Sequence, residues 1–352
     1  MAIDRDFWSQ RRVLLTGHTG FKGAWLSLWL QSLGAQVTGL APAAAPTSPS
    51  LYELAGVAAG MTERTVDVRD RQAVRQAFAQ ERPEVVLHLA AQPLVRRSLV
   101  DPADTYEVNV MGTVNVLDAV RLDGGDVRAV VVVTSDKCYE NAGLGRPFAE
   151  ADPLGGSDPY SSSKGCAELV TAAYRRSFFS DPDGPRVASA RAGNVIGGGD
   201  WGADRLIPDI VRAVTAGKPI AVRNPEAVRP WQHVLNPLCG YLLLAQRLWH
   251  SPEAAQGWNF GPAPRDVRTV RAIVEFLRER WGQAFAWELD GAVSAPEAAH
   301  LALDSSAAIE RLGWQPAWDL EQALERVVQW HQAHLRGEDM RSVTFDQIAE
   351  FS

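Results

Sequence analysis

Apolar residues in this chain fall alternately into short unbroken runs and into helical spacing. Arg11-Arg12-Val13-Leu14-Leu15-Thr16 reads as a strand whose continuous apolar run predicts burial on both faces, as in a parallel sheet. Ala24-Trp25-Leu26-Ser27-Leu28-Trp29-Leu30 has helical character, Gly34 is placed to stop that helix, and 35–40 give a second strand. A loop rich in Pro, Ala and Ser occupies 41–50. The beat then repeats: a strand over 61–68 ending in Asp67, a helix over 69–80, a buried strand over 85–90 and a helix over 106–120. A β-branched run over 129–134, a helix around 160–178 and a strand over 186–191 complete it. Strands alternating with helices over this length predict an α/β fold on a Rossmann-type doubly wound parallel sheet.

After residue 192 the rhythm changes. Gly197-Gly198-Gly199 opens a glycine-rich loop, and Pro, Trp and Arg become frequent through His233. Helical patterns over 235–249, 270–281 and 320–335, with a strand-like Trp258-Asn259-Phe260, predict a smaller α/β substrate-binding lobe. The expected division is a dinucleotide-binding domain over 1–191 and the lobe over 192–352, with the chain free to cross between them.

Composition narrows the classes. The chain is 46% hydrophobic and 22% charged, an ordinary globular balance with room for one large domain or a large and a small one. Its formal charge of −7 argues against nucleic acid as a partner. No stretch approaches the roughly twenty apolar residues that span a bilayer, and the first residues lack the apolar core of a signal peptide, so no membrane role is expected. Cys138, Cys166 and Cys239 are scattered without metal-ligand spacing; no metal is expected, and a reducing cytoplasm suits them.

Gly17, Gly20 and Gly23 form G-x-x-G-x-x-G between the first strand and the first helix. A dinucleotide needs glycine there for a tight turn, close backbone approach to the pyrophosphate and close packing of helix on strand. The helix N-terminus then faces the phosphates. The alternative is a turn with three glycines and no ligand, which the flanking strand and helix disfavour. The acidic residue usual after the second strand is missing, since Leu40 is followed by Ala41-Pro42-Ala43. Asp67-Val68 could bracket the adenine, or Asp67 could cap the next helix. No arginine closely follows Leu40; only Arg64 or Arg69 could serve a 2′-phosphate, so NAD is expected over NADP.

Tyr160-Ser161-Ser162-Ser163-Lys164 is Y-x-x-x-K on a predicted helix, with phenol and ammonium on one face. A nearby ammonium favours phenolate, which suits a base near neutral pH. Alone, the pairing also fits a solvated helix face. Thr134-Ser135-Asp136-Lys137-Cys138-Tyr139 lies at the carboxyl end of the strand over 129–134, where ligands bind in such sheets. An acid beside an amine suits a reaction that moves two protons in opposite senses, although a surface turn with a solvated Asp-Lys pair is the plainer alternative.

With His88-Leu89-Ala90-Ala91-Gln92 and Asn109-Val110-Met111-Gly112-Thr113, these motifs make the chain resemble the extended short-chain dehydrogenase/reductase family. Four stretches are similar to its members that act as 4,6-dehydratases on CDP-linked glucose: 16–23, 134–139, Arg191-Ala192-Gly193-Asn194-Val195-Ile196-Gly197-Gly198-Gly199-Asp200-Trp201, and Arg229-Pro230-Trp231-Gln232-His233. The likeness runs from about Phe7 to near Met340. It implies NAD retained through the cycle and contacts to it from Gly17, Thr19, Gly20, Phe21, Lys22, Gly23, Asp67, Val68, Leu89, Ala90, Ala91, Gln92, Asn109, Thr134, Tyr160 and Lys164. It implies that Tyr160 takes the proton of the sugar 4-hydroxyl, that Lys164 holds the nicotinamide ribose and lowers the tyrosine's pKa, and that Ser135 hydrogen-bonds near O4. Asp136 would protonate the leaving 6-hydroxyl. Lys137, where related dTDP-glucose enzymes carry a glutamate, would remove the C5 proton itself or through a water. In the lobe, Asn194 matches a substrate asparagine, and Arg205, Arg223 and Arg229 are candidates for the diphosphate. Trp201 and Trp231 could stack on cytosine, or belong to the core with most of the 12 tryptophans. CDP-glucose as substrate and a homodimer or homotetramer pairing helices like 106–120 and 160–178 rest on the resemblance alone. The rivals are an NAD-dependent nucleotide-sugar epimerase, which has no use for the Asp-Lys pair, and a non-catalytic dinucleotide-binding regulator.

Overall fold

The computed structural model describes residues 3–141, 143, 145–281, 285–290 and 301–352. The first half follows the expected alternation: β1 (Arg12–Thr16), α1 (Phe21–Ser32), β2 (Gln36–Ala41), β3 (Thr62–Thr65), α2 (Arg71–Glu81), β4 (Val85–His88), α3 (Gly112–Asp123), β5 (Ala129–Val133), α4 (Pro159–Phe178) and β6 (Arg186–Arg191). The second half adds α5 (Leu206–Thr215), α6 (Leu235–His250), β7 (Gly257–Asn259), α7 (Val270–Arg280), α8 (Leu320–Leu335) and α9 (Met340–Phe351).

One seven-stranded sheet runs in the order β7-β6-β5-β4-β1-β2-β3, and every neighbouring pair in it is parallel. Strand order reverses between β1 and β4, so the crevice for a ligand opens over their carboxyl ends. The seventh strand comes from beyond residue 192: Gly257, Trp258 and Asn259 pair with Ser189, Ala190 and Arg191 of β6.

Alternation along the strands decides what covers each face. Leu14, Val86, Val130, Val132 and Val187 turn to α2 and α3, where Val74, Phe78, Val116 and Val120 meet them. Val13, Leu15, Val85, Leu87, Val131, Val133, Ala188 and Ala190 turn the other way, against α1, α6 and the chain's last helices. A separate core in the lobe joins Ile207, Ile210 and Val214 of α5 to Ile273, Val274 and Leu277 of α7 and Leu324 and Val327 of α8.

Three local departures have physical causes. The strand expected over 61–68 is only Thr62–Thr65, an exposed edge; beyond it the Asp67 carboxylate accepts from the Arg69 amide at 2.9 Å and turns the chain. Asp67 does not cap the next helix, because Asp70 does, accepting from the amides of Gln72 and Ala73. The helix expected over 106–120 has three parts: Pro102–Tyr106, a π-turn at Glu107–Met111, and α3. The turn carries Asn109, whose amide bridges Gln92 O at 3.1 Å and Ser163 Oγ at 2.8 Å.

Candidate active site

The glycine fingerprint is a cradle that side chains would fill. Gly17 holds φ at +76°, and a Cβ there would lie 2.8 Å from the Ala90 backbone. A Cβ on Gly23 would lie 2.1 Å from the Gly17 carbonyl oxygen, so only glycine lets α1 come this close to the turn. Gly20 is the N-cap of α1 and supplies no side-chain cap, which leaves the helix end facing the crevice. These features fit a dinucleotide diphosphate. Thr16 braces the floor: its Oγ1 accepts from the amides of Leu89 and Ala90 at 3.2 and 3.1 Å and lies 2.7 Å from His88 Nδ1. Burial, then the charge of Lys164, drives His88 down to about 3, so the imidazole is a neutral strut.

Beyond β3, Asp67 is 2.6 Å from Arg69, which also meets Asp104 at 2.9 Å, and Val68 packs on Gly112. Arg64 pairs with Glu81 at 2.7 Å. Both arginines that could have served a 2′-phosphate are thus matched to carboxylates, which favours a ribose with free hydroxyls. The acid missing after β2 has a neighbour on β3: Glu63, beside Gly39 in register, takes His18 Nε2 at 2.8 Å and the Tyr52 hydroxyl at 2.6 Å. Nothing in the sequence pattern singled it out. Asn109, Gln92 and Thr105 form an internal lattice, Gln92 Nε2 donating to Thr105 Oγ1 at 2.9 Å, so these residues shape the pocket wall.

The catalytic candidates converge where β5 ends. Ser135 Oγ donates to Asp136 Oδ1 at 3.0 Å and bears on the Tyr160 phenol, drawing its pKa down. Asp136 is buried, and its Oδ2 has no partner. A Cβ on residue 193 would lie 2.5 Å from that oxygen, so Gly193 makes the room the acid occupies. Burial raises the Asp136 pKa against the pull of Lys137, Ser135 and Lys22, the behaviour of a carboxyl that keeps its proton. Lys137 is half-buried in the same short turn. Tyr160 is pushed up to about 12 by burial, with Ser135 and Arg205 drawing it down. Lys164 Nζ donates to the Val133 carbonyl at 3.3 Å, and burial lowers its pKa to about 8. The expectation that Lys164 lowers the tyrosine's pKa is therefore not met in the free protein: desolvation acts on both groups, and the lysine gives up its charge first.

A buried network that no sequence motif marks lies behind this cluster. Glu168, one turn beyond Lys164, accepts from Thr134 Oγ1 at 2.5 Å, Ser189 Oγ at 2.6 Å and Arg191 Nη2 at 2.8 Å, all buried. Arg191 also reaches the Tyr139 hydroxyl at 2.6 Å, and that hydroxyl donates to Asn259 at 2.7 Å. Strands β5, β6 and β7 are thereby locked to α4, which carries Tyr160. The i+4 spacing from Lys164 was the available signal.

The lobe candidates each make local contacts. Arg205 pairs with Asp200 at 2.9 Å and bears electrostatically on Tyr160. Arg223 lies 3.4 Å from Asp204, which Arg96 of the short helix Val95–Val100 also meets at 2.9 Å, so the two halves of the chain share one carboxylate. Arg229 donates to the Val228 carbonyl at 2.9 Å, and the backbone oxygen of Asn194 takes the Gln232 amide at 3.3 Å. Trp231 lies in the lobe core, its indole N–H on Arg268 O, and Trp201 meets Trp330, His331 and His334 edge-on, so packing occupies both rings.

A profile of the NAD dependent epimerase/dehydratase family matches residues 13–254. The chain is 49% identical to the CDP-glucose 4,6-dehydratase of Salmonella typhimurium strain LT2, over 99% of this chain and 98% of that one. The UDP-glucose 4-epimerase of Thermotoga maritima, solved with UDP-glucose, superposes with a TM-score of 0.78 at 21% identity, covering 92% of this chain and 99% of that one. The dTDP-glucose 4,6-dehydratase of Streptomyces venezuelae, solved with NAD, gives 0.77 at 22% identity over 94% and 99%. At these identities the two structures speak for the fold. The matched stretch contains the glycine cradle, the Ser135-Asp136 turn and the Tyr160-Lys164 helix together, and the chain accordingly belongs to the NAD dependent epimerase/dehydratase family, with NAD as its cofactor.

Proposed function

We propose that this enzyme converts CDP-D-glucose to CDP-4-keto-6-deoxy-D-glucose with loss of water. The observation that carries the reading is a dry carboxyl, Asp136, with one oxygen unpaired, set beside the Ser135–Tyr160 hydroxyl pair. Near-identity in length and 49% sequence identity to the Salmonella enzyme support the choice of sugar nucleotide.

NAD in the cradle supplies two-electron oxidation at C4 and the return of those electrons at C6. Residues 17, 19–23, 67–68 and 89–92 would line it, with Thr134 and Lys164 toward the nicotinamide ribose and Asn109 shaping the wall. Tyr160 takes the proton of the 4-hydroxyl while Ser135 orients that oxygen. A ketone at C4 acidifies C5–H, and Lys137, directly or through a water, removes that proton. Asp136 then protonates the departing 6-hydroxyl. Asn194, Arg205, Arg223 and Arg229 would hold the nucleotide diphosphate.

Incubating the purified protein with CDP-, dTDP-, GDP- and UDP-glucose tests this. CDP-glucose should give a product lighter by one water, with kcat/KM about tenfold or more above the others. A product of unchanged mass would make the enzyme an epimerase, and no turnover of any of the four would remove the reading.

The protein is further read as a cytoplasmic homo-oligomer. Its three cysteines are unpaired, and among the described residues no helix is long and apolar enough to cross a membrane. Val100, Met111, Leu169 and Phe178 stand exposed at 85, 49, 57 and 51% on the helices around α3 and α4, the surface a dimer would cover. Sedimentation should give twice or four times the chain mass, and Val100→Glu with Leu169→Glu should shift it to the monomer; a wild-type monomer would sink this assignment.

A further inference from the structure

Beside the glycine cradle stands an acid with one oxygen to spare. β2 supplies none, since Ala41, Pro42 and Ala43 follow Leu40. β3 does: Glu63 lies beside Gly39 and Thr65 beside Ala41, and strand alternation sets these four residues on one face. Neighbouring strands lie about 4.8 Å apart, so Glu63 stands one strand spacing from the face where a dinucleotide's ribose acid belongs.

His18 ties this acid to the glycine turn. It follows Gly17 directly, and its ring stands over Gly39, where a Cβ would come within 2.5 Å of the ring's Cγ and Nδ1. Its Nε2 meets Glu63 Oε1 at 2.8 Å, which turns the carboxylate toward β2. The Tyr52 hydroxyl, on the short helix Leu51–Leu54, donates to the same oxygen at 2.6 Å, and the two rings meet edge-on at 5.8 Å. Burial, then the bond to Glu63, pushes that phenol up to about 12, so it stays a donor. Oε1 is thus held twice and Oε2 by no described residue, while the Glu63 side chain is 34% exposed and within reach of a ligand. No described arginine or lysine pairs with it; Arg64 points to the other face and takes Glu81. A carboxylate ordered before its ligand arrives loses little freedom on binding.

We propose that Glu63 is the ribose acid of this cradle: its carboxylate, clamped by His18 and Tyr52, accepts from the adenosine ribose hydroxyls of NAD in place of the acid that β2 lacks. The same group selects the cofactor. A 2′-phosphate would bring further negative charge against a carboxylate with no cation beside it, so NADP is rejected by repulsion and NAD is held by a charge-assisted hydrogen bond.

Binding of the dinucleotide, read by calorimetry on full-length protein stripped of bound nucleotide, tests this without turnover. Wild-type protein should prefer NAD to NADP by about 10²-fold, and NAD to its 2′-deoxyadenosine analogue by about tenfold. Glu63→Gln keeps the side chain's length and removes its charge, so NADP should gain about tenfold or more on NAD. Glu63→Ala removes the acceptor: NAD should weaken by about tenfold or more, and the deoxy analogue should then bind as well as NAD. Tyr52→Phe takes away one clamp and leaves the acceptor, so NAD should weaken by a smaller factor and keep its lead over the analogue. A carboxylate that only pins the glycine turn would weaken NAD and the analogue alike in Glu63→Ala, and that result would overturn the proposal. So would wild-type protein that binds NAD and NADP equally, or a Glu63→Gln variant whose preference between them matches wild type.

Discussion

Tyr160→Phe should lower turnover by about 10³-fold with no accumulation of reduced nicotinamide, because the first proton then has no efficient acceptor. The loss falls on the chemical step: the ring stays, and the Ser98 hydroxyl still accepts from the residue 160 amide at 3.2 Å, so the start of α4 keeps its anchor. The pH dependence has a defined sign. Burial pushes the phenol up to about 12 in the free protein, so its basic form grows roughly tenfold per pH unit below that value. The wild-type kcat/KM should therefore climb with pH through the neutral range, until loss of the Lys164 charge, centred near 8, bends the profile. A variant retaining more than a tenth of wild-type activity would exclude Tyr160 as the base.

Asp136→Asn should produce a different failure. The amide is isosteric and can still receive the Ser135 hydroxyl, but it has no proton to give to a departing oxygen. Water loss should fall about 10²–10⁴-fold while C4 oxidation continues, so the variant stalls with the cofactor reduced. Where the tyrosine variant stays colourless near 340 nm, this one should absorb. Equal loss of both half-reactions would mean that the carboxyl serves the fold or the substrate's binding and not the leaving group. The raised pKa of Asp136 gives this prediction its pH sense: the acid form is present below that pKa, so dehydration should weaken on the alkaline side.

What could be read from the chain before its structure follows from where pattern and chemistry coincide. Ala129-Val130-Val131-Val132-Val133 has no polar interruption and could only be an interior strand, and the polar residues after it had to lie at its carboxyl end. Gly17, Gly20 and Gly23 carried their meaning through their spacing together with the strand before them and the helix after. Other parts had no such signal. Helix α9 buries Thr344 and Gln347 alongside Met340 and Ile348, and Thr344 is there to receive the Trp330 indole N–H at 3.0 Å, so the apolar stripe that betrays a helix is broken by a partner on the preceding helix. Helix α6 is buried nearly all round, so its apolar residues show no phase that marks one face. The π-turn at Glu107–Met111 leaves no mark on hydrophobic spacing, yet it sets Asn109 between Gln92 and Ser163. Helix α5 has its stripe, Ile207, Ile210, Val211 and Val214, but it lies in a stretch rich in Pro, Trp and Arg to which the pattern assigns no element.

The late arrival of β7 constrains how such a protein can be divided. A polypeptide ended near residue 191 would possess the entire nucleotide cradle and the Tyr160 helix, yet β6 would be a raw border and the layer formed by Val131, Val133, Ala188 and Ala190 would lie bare where α6 belongs. Such a stub would stick to its own copies rather than wait for sugar. The segment beyond residue 192 also roofs the platform built before it, so the first half should not stay soluble when expressed without the second.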